Sequence, residues 1–350
     1  MPRIALIPGD GIGVDVTREA TRVLRCLSDK HNLGLELQEW DLGAERYLRT
    51  GSAITDEEMA ELAQHDAIFL GAMGDARVPD NAHARAILLG MRFRFDLFIN
   101  LRPVRLLDER LCPLKNVKES DVDMVIFREN TEGLYVGVGG QFKRGTPDEV
   151  AVEQDFNTRK GVERIIRAAF EYARSNGRER VTLSDKANAL QHAGELWRRV
   201  FREVGAEYAE IARNAVYIDA LALDLVRRPA LYDVIVAPNL FGDILSDLAA
   251  ALAGGLGLAP SANLHPGKPG LFEPVHGSAP DLVGTGKANP LAAILTVGLM
   301  LQELGHAELN TAIEQAVRSA LHETKTTPDL GGSLSCPEVG AWICDLLART

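Results

Sequence analysis

The chain is poor in cysteine: among 350 residues there are four, Cys26, Cys112, Cys336 and Cys344. No two stand in C-x-x-C spacing, and no histidine pattern completes a zinc site. They read as free thiols of a reducing cytosol, not as a disulfide framework. The N-terminal "MPRIALIPGDG" lacks a charged segment followed by a long apolar core, so no signal peptide is expected. No apolar run reaches the roughly 18 residues that a membrane span needs. Basic residues are outnumbered, with 38 Lys and Arg against 49 Asp and Glu, for a formal net charge of −11. That balance argues against nucleic acid or an anionic membrane as partner. It leaves room for an anionic small molecule, since a local group of arginines overrides the net charge. The phosphate-loop pattern G-x-x-x-x-G-K-[ST] is missing, which excludes that class of nucleotide hydrolase. There is no internal repeat, low-complexity tract or evident linker.

What is present is an ordinary globular composition, 46% apolar and 25% charged. The length suits one bilobed unit or two domains. "RIALIPGD" reads as a buried strand ending in a turn, and "GVDVTREATRVLRCLSDKH" has helical apolar spacing. "LGLELQEW" reads as a strand. "TDEEMAELAQHD" reads as a helix opened by a capping box of Thr55 and Glu58. Further strands follow at "AIFLGAMG", "DVDMVIFREN", "RVTLSDKAN" and "YDVIVAPN". "TRKGVERIIRAAFEYARSNG" is an amphipathic helix closed by Gly177. "ANPLAAILTVGLMLQELG" is a long apolar helix of core or interface. Strand and helix alternate, which points to an α/β fold.

The segment "NLFGDILSDL" sets two aspartates, Asp243 and Asp247, four apart in an apolar run. On a helix they share one face and repel each other, so a positive group belongs beside them. A helix N-terminus accounts for Asp243 through the dipole but poorly for Asp247. A divalent-metal site accounts for both, with hard oxygen donors suited to Mg²⁺ or Mn²⁺. Asp219 or Asp224, in "YIDALALDLV", is a candidate third acid. Arg92, Arg94, Arg102 and Arg128 are candidates for binding carboxylates, which guanidinium pairs bidentately. Arg94 reads as surface, whereas Arg102 and Arg128 end apolar runs. "PGDGIG" is not a G-x-G-x-x-G dinucleotide fingerprint. "EPVHGSAPDLVGTGKANP" is rich in small residues, as a backbone approached closely by a ligand requires.

Taken in order, "PGDGIG", "LRP", "RENTEGLY", "DKAN", "NLFGDILSDL", "FEPVHGSAPD" and "ANP" resemble the β-decarboxylating dehydrogenase family. That family includes isocitrate, isopropylmalate, homoisocitrate and tartrate/D-malate dehydrogenases. The resemblance covers essentially the whole chain and is closest in motifs to the isopropylmalate members. It implies a two-domain, non-Rossmann α/β fold of mixed sheets flanked by helices. A large cofactor-binding domain is expected from residues 1–98 and 254–350, and a small one carrying the dimer contact from 99–253. A homodimer with shared active sites is implied, each site lying in the cleft between domains. By motif matching, Arg92, Arg102 and Arg128 hold the malate carboxylates, with Asn188 beside them and Leu88 and Leu89 against the C3 substituent. Asp243 and Asp247 ligate Mg²⁺ or Mn²⁺ together with Asp219 of the partner subunit. Lys186 of the partner subunit, helped by Asp219, is the expected base for the C2 hydroxyl, and Tyr135 the acid at C3. The NAD site is expected from Ile12, Glu273, His276, Gly277, Ser278, Ala279, Asp281, Ala288 and Asn289. Asp281 favours NAD over NADP by repelling a 2′-phosphate.

The substrate is expected to be a 3-substituted malate, with 3-isopropylmalate first. Homoisocitrate, isocitrate, tartrate or D-malate and a phosphonoalkyl-malate are alternatives. A non-catalytic regulatory subunit is disfavoured by the presence of Tyr135, Lys186 and the three aspartates. Isopropylmalate members usually carry a glutamate shortly before the leucine pair, and valine after "KAN". This chain has His83, Arg85 and Ala189 there, which suggests a roomier, less negative pocket for a larger or anionic substituent, or else drift within a loop.

Overall fold

The computed structural model describes residues 1–349. The chain forms two compact units. One holds Met1–Leu97, Arg105–Glu119 and the chain from Ala250 onward; the other holds Phe98–Val104 and Ser120–Ala249. The difference from the expected boundaries lies chiefly at 105–119, which is tied into the unit of the chain ends. Arg105 donates to the Glu314 carboxylate at 2.6 and 2.9 Å, Arg110 to the Leu321 carbonyl at 2.7 Å, and Arg318 pairs with Glu119.

The strands run in chain order as β1 (Arg3–Gly9), β2 (Glu36–Glu39), β3 (Ala67–Ala72), β4 (Ile99–Arg105), β5 (Asp123–Glu129) and β6 (Gly139–Phe142). They continue as β7 (Val150–Glu153), β8 (Arg180–Asp185), β9 (Ala212–Tyr217), β10 (Val234–Ala237), β11 (Pro260–Leu264) and β12 (Gly270–Pro274).

In the unit of the chain ends the strand order is β2-β1-β3-β12-β11. Neighbours are parallel except for the antiparallel hairpin of β11 and β12. Every residue of β3 is buried, as expected of a parallel strand covered on both faces. The helix Leu291–Glu303 is buried continuously from Leu291 to Leu301, which explains its all-round apolar sequence. The capping box forms: Thr55 accepts from the Glu58 N–H, and the Glu58 carboxylate accepts from the Thr55 N–H at 2.8 Å.

The second unit has the order β4-β5-β10-β8-β9, with β5/β10, β10/β8 and β8/β9 parallel, and a separate hairpin of β6 and β7. Its helix Arg159–Ser175 buries Val162, Ile165, Ile166, Ala169, Phe170 and Ala173, one stripe at spacings of three and four. Thr158 caps its start, accepting from the Gly161 N–H at 3.0 Å. Gly177 (φ +63°) turns the chain out, so that the Arg178 N–H reaches the Ala173 carbonyl at 2.8 Å. Among the described residues no helix is long and apolar enough to cross a membrane.

Candidate active site

Parallel strands deliver their polar ends to one edge, where α/β sites form. Strand β10 runs into the helix Asn239–Leu252, and its Ala237 pairs in register with Arg128 of β5. Asp243 and Asp247 lie one turn apart on that helix and share a face. The Asp243 carboxylate is a hub. Arg128 Nη1 donates to its Oδ1 at 2.5 Å, and Arg102 Nη1 is 3.3 Å from the same oxygen. The Tyr135 hydroxyl donates to its Oδ2 at 2.7 Å. The Arg128 guanidinium also sits 5.0 Å from the Tyr135 ring centroid, a cation–π contact.

Both guanidiniums are nearly enclosed, Arg128 being 2% and Arg102 7% exposed. A buried cation must be fully partnered. Arg128 Nε donates to the carbonyl and Oδ1 of Asn239, each at 3.0 Å. Arg102 Nε donates to Asn100 Oδ1 at 2.8 Å, and its Nη1 to Ser246 Oγ at 2.5 Å. Ser246 in turn donates to the Asp243 carbonyl at 2.8 Å. Gly242 makes the approach possible, since a Cβ there would stand 2.6 Å from Arg128 Cβ. The motifs gave no role to Ser246, Asn239 or Asn100. The one local signal was a serine lodged between two acids in an apolar run.

Asp247 is the more open acid, and its contact in this group is Arg102 at 3.5 Å. Its carboxyl is pushed up by loss of solvent; Arg102 opposes the shift and Asp243 adds to it. A cation beside Asp247 would relieve that pressure, and the two carboxylates are the hard donors that Mg²⁺ or Mn²⁺ takes. The fit is therefore sound but incomplete. Among the described residues no three His, Cys, Asp or Glu side chains gather as a metal site.

Lys186 and Asp219 form a separate pair after β8 and in the first turn of the helix Ile218–Arg227, Nζ to Oδ1 at 2.5 Å. Lys186 holds the Asp219 carboxyl below the usual range. The Tyr217 ring has Arg198 at 4.7 Å and Lys186 at 6.0 Å from its centroid. Arg198 also grips Asp185 at 2.6 and 3.0 Å, and Asp185 accepts from the Ala187 N–H at 3.1 Å, which fixes the turn presenting Lys186. Asn188 is exposed beside it. Asp224, the alternative third acid, is committed to Arg228 at 2.9 Å and Tyr232 at 2.8 Å.

The other unit carries the remaining candidates. Arg92 is 6% exposed, and its Nη2 donates to Glu273 Oε1 at 2.8 Å; Glu273 also accepts from Asn263 at 3.0 Å. Leu88 leans on the core, Leu89 is half-buried, and Arg94 is at the surface, paired with Asp56. His83 is fully buried and bonded to Asp10. Arg85 is exposed.

In the loop after β12, His276 Nδ1 lies 3.0 Å from the Gly277 carbonyl, while the buried Nε2 has no partner. Burial holds this imidazole below its usual pKa. An orphaned ring nitrogen of this kind fits a ligand such as a dinucleotide. Gly277 faces open space, Ala279 is left-handed (φ 36°), and Asp281 is exposed in the turn Pro280–Leu282. The Ile12 N–H donates to the Ser278 carbonyl at 2.8 Å. Ala288 is interior. The Asn289 amide is already used, donating to Asp329 at 2.9 Å and accepting from the Leu291 N–H at 3.0 Å.

The family model described as isocitrate/isopropylmalate dehydrogenase matches residues 3–343. A protein of Thermobifida fusca named 3-isopropylmalate dehydrogenase is 47% identical over 99% of this chain and 98% of its own. One of the same name from Corynebacterium jeikeium is 49% identical over 97% of both chains. The solved isocitrate dehydrogenase of Methylococcus capsulatus superposes with a TM-score of 0.91 at 35% identity, covering 99% of this chain and 100% of that one. A β-decarboxylating dehydrogenase from Thermococcus kodakarensis gives 0.82 at 36% identity, over 100% and 97%.

Proposed function

Because the chain belongs to the isocitrate/isopropylmalate dehydrogenase family, we propose that it oxidises and decarboxylates 3-isopropylmalate with NAD and Mg²⁺ or Mn²⁺, as a cytosolic homodimer. The observation that carries the reading is the hub of Arg102, Arg128, Tyr135 and Asp243. Two enclosed guanidiniums, one phenol and one carboxylate meet at the end of the sheet in a chain with near-full-length likeness to enzymes of that name. Arg102, Arg128 and Arg92 exchange part of their carboxylate partnering for the carboxylates of the malate. Leu88 and Leu89 receive the isopropyl group. Asp243 and Asp247 hold the divalent ion, with Asp219 of a second copy as a further ligand. When bound, the ion polarises the C2 oxygen and stabilises negative charge on it.

The Lys186 amine of that second copy, helped by its Asp219, would take the proton of the C2 hydroxyl, and bound NAD would supply the hydride acceptor for C2. The carboxylate on C3 then leaves as CO₂, and the Tyr135 hydroxyl supplies the proton that C3 gains. His276 Nε2 offers the nucleotide a buried polar contact. Asp281 meets the ribose hydroxyls and disfavours a 2′-phosphate. Purified enzyme with Mg²⁺ and 3-isopropylmalate is expected to yield NADH and CO₂ one for one, with little reduction of NADP. Reduction without CO₂, or equal use of both nucleotides, would contradict the reading. Arg85, exposed one turn from the leucine pair, supports a malate with an anionic tail as a second reading.

A further inference from the structure

Asp10 and His83 form a buried pair that the proposed chemistry does not use. His83 is fully buried, and its Nε2 lies 2.7 Å from Asp10 Oδ2. Its Nδ1 is buried without a partner. The same carboxylate accepts from the Ala44 N–H at 2.6 Å and the Gly74 N–H at 2.8 Å. One aspartate therefore ties the turn after β1 to three other segments.

His83 stands at the start of the short helical run that continues through Arg85–Leu89 and Gly90–Arg94 and carries Leu88, Leu89 and Arg92. The chain enters that run through Asp80 and Asn81, both left-handed (φ 53° and 48°), a conformation that its surroundings must hold. Asp10, at the other end of the bond, is the centre of the "PGDGIG" turn. Two residues on, the Ile12 N–H binds the Ser278 carbonyl at 2.8 Å. Between them Gly11 is left-handed (φ +58°), and any Cβ there would strike that carbonyl. Ser278 and Leu88 are thus joined through Ile12, Asp10 and His83 by two hydrogen bonds and short stretches of chain.

We infer that Asp10 and His83 are a positioning pair coupling the nucleotide loop to the substrate-binding run. Order imposed on residues 276–281 by NAD passes through Asp10 to the segment that holds Arg92. The inference rests on the roles proposed above for those two segments. Neither residue touches a reacting atom; the pair acts through Arg92 and the leucines.

The test measures NADH affinity by its fluorescence, with and without saturating 3-isopropylmalate and Mg²⁺, alongside steady-state kinetics. For the wild type, substrate is expected to tighten NADH binding by about 5- to 150-fold, and the reciprocal effect must match. His83→Leu should reduce that factor to about twofold or less and raise KM for both ligands, leaving kcat within about threefold. His83→Gln, whose amide still donates toward Asp10, should recover most of the coupling. Unchanged coupling in His83→Leu, with only the melting temperature lowered, would overturn the inference and leave the functional reading standing. A wild type that binds no NADH would overturn both. Should the leucine variant fail to fold, amide exchange on the wild type decides. NADH alone should protect residues 82–94 along with 276–281, and protection confined to 276–281 counts against the coupling.

Discussion

Replacing Asp243 with asparagine is expected to lower kcat/KM by about a thousandfold. A metal acting as Lewis acid supplies several kcal/mol of charge stabilisation, and each 1.4 kcal/mol or so is a factor of ten. The substitution removes one of two carboxylates on the helical face and unbalances Arg128 and Arg102, which both lean on it. Two readouts separate these effects. Mn²⁺ binding, followed by electron paramagnetic resonance, should weaken if Asp243 is a ligand. Metal-free affinity for the malate should change little, because the substrate carboxylates take over the freed guanidiniums. Wild-type turnover in EDTA-treated, Mg²⁺-titrated Asp243→Asn enzyme would remove Asp243 from the metal site.

Lys186→Met is expected to reduce kcat by about 10²- to 10⁴-fold, the range of a lost general base, with KM nearly unchanged. Lys186 is presented by a turn that Arg198 and Asp185 hold, so methionine should be accommodated without collapse. Its Nζ is bonded to Asp219, which then stands alone in the variant. Single-turnover mixing should give a normal binding phase and no burst of NADH. A kcat within a few-fold of wild type would rule Lys186 out as the base.

Much of this was legible from local pattern. Helix Arg159–Ser175 was readable because its buried residues recur at three and four, and the Thr55 capping box because both partners lie within one turn. The acids on helix Asn239–Leu252 announced themselves as carboxylates in an apolar run, and the demand for a neighbouring positive charge was correct. In the chain itself that charge comes from Arg128 and Arg102, 115 and 145 positions away from Asp243 and Asp247 respectively. No window of sequence contains such a pair.

Weak patterns account for the missed elements. Strand β4 carries a proline within "INLRPVR", and β6 and β7 are exposed at every residue, so neither has an apolar alternation to read. The place of His83 could not be read from its neighbours, because Asp10, bonded to its Nε2, stands 73 positions earlier. The Asn289 amide is held by the start of the helix Leu291–Glu303 and by Asp329, 40 positions away.

The central claim is the identity of the substrate, and a panel of 3-substituted malates tests it most directly. The quantity to measure is kcat/KM for NADH formation with Mg²⁺. The account predicts that 3-isopropylmalate leads, with each methylene added or lost costing about 10- to 200-fold against the Leu88–Leu89 surface. A carboxyalkyl or phosphonoalkyl malate in the lead would contradict it and make Arg85, rather than the leucine pair, the residue that sets specificity.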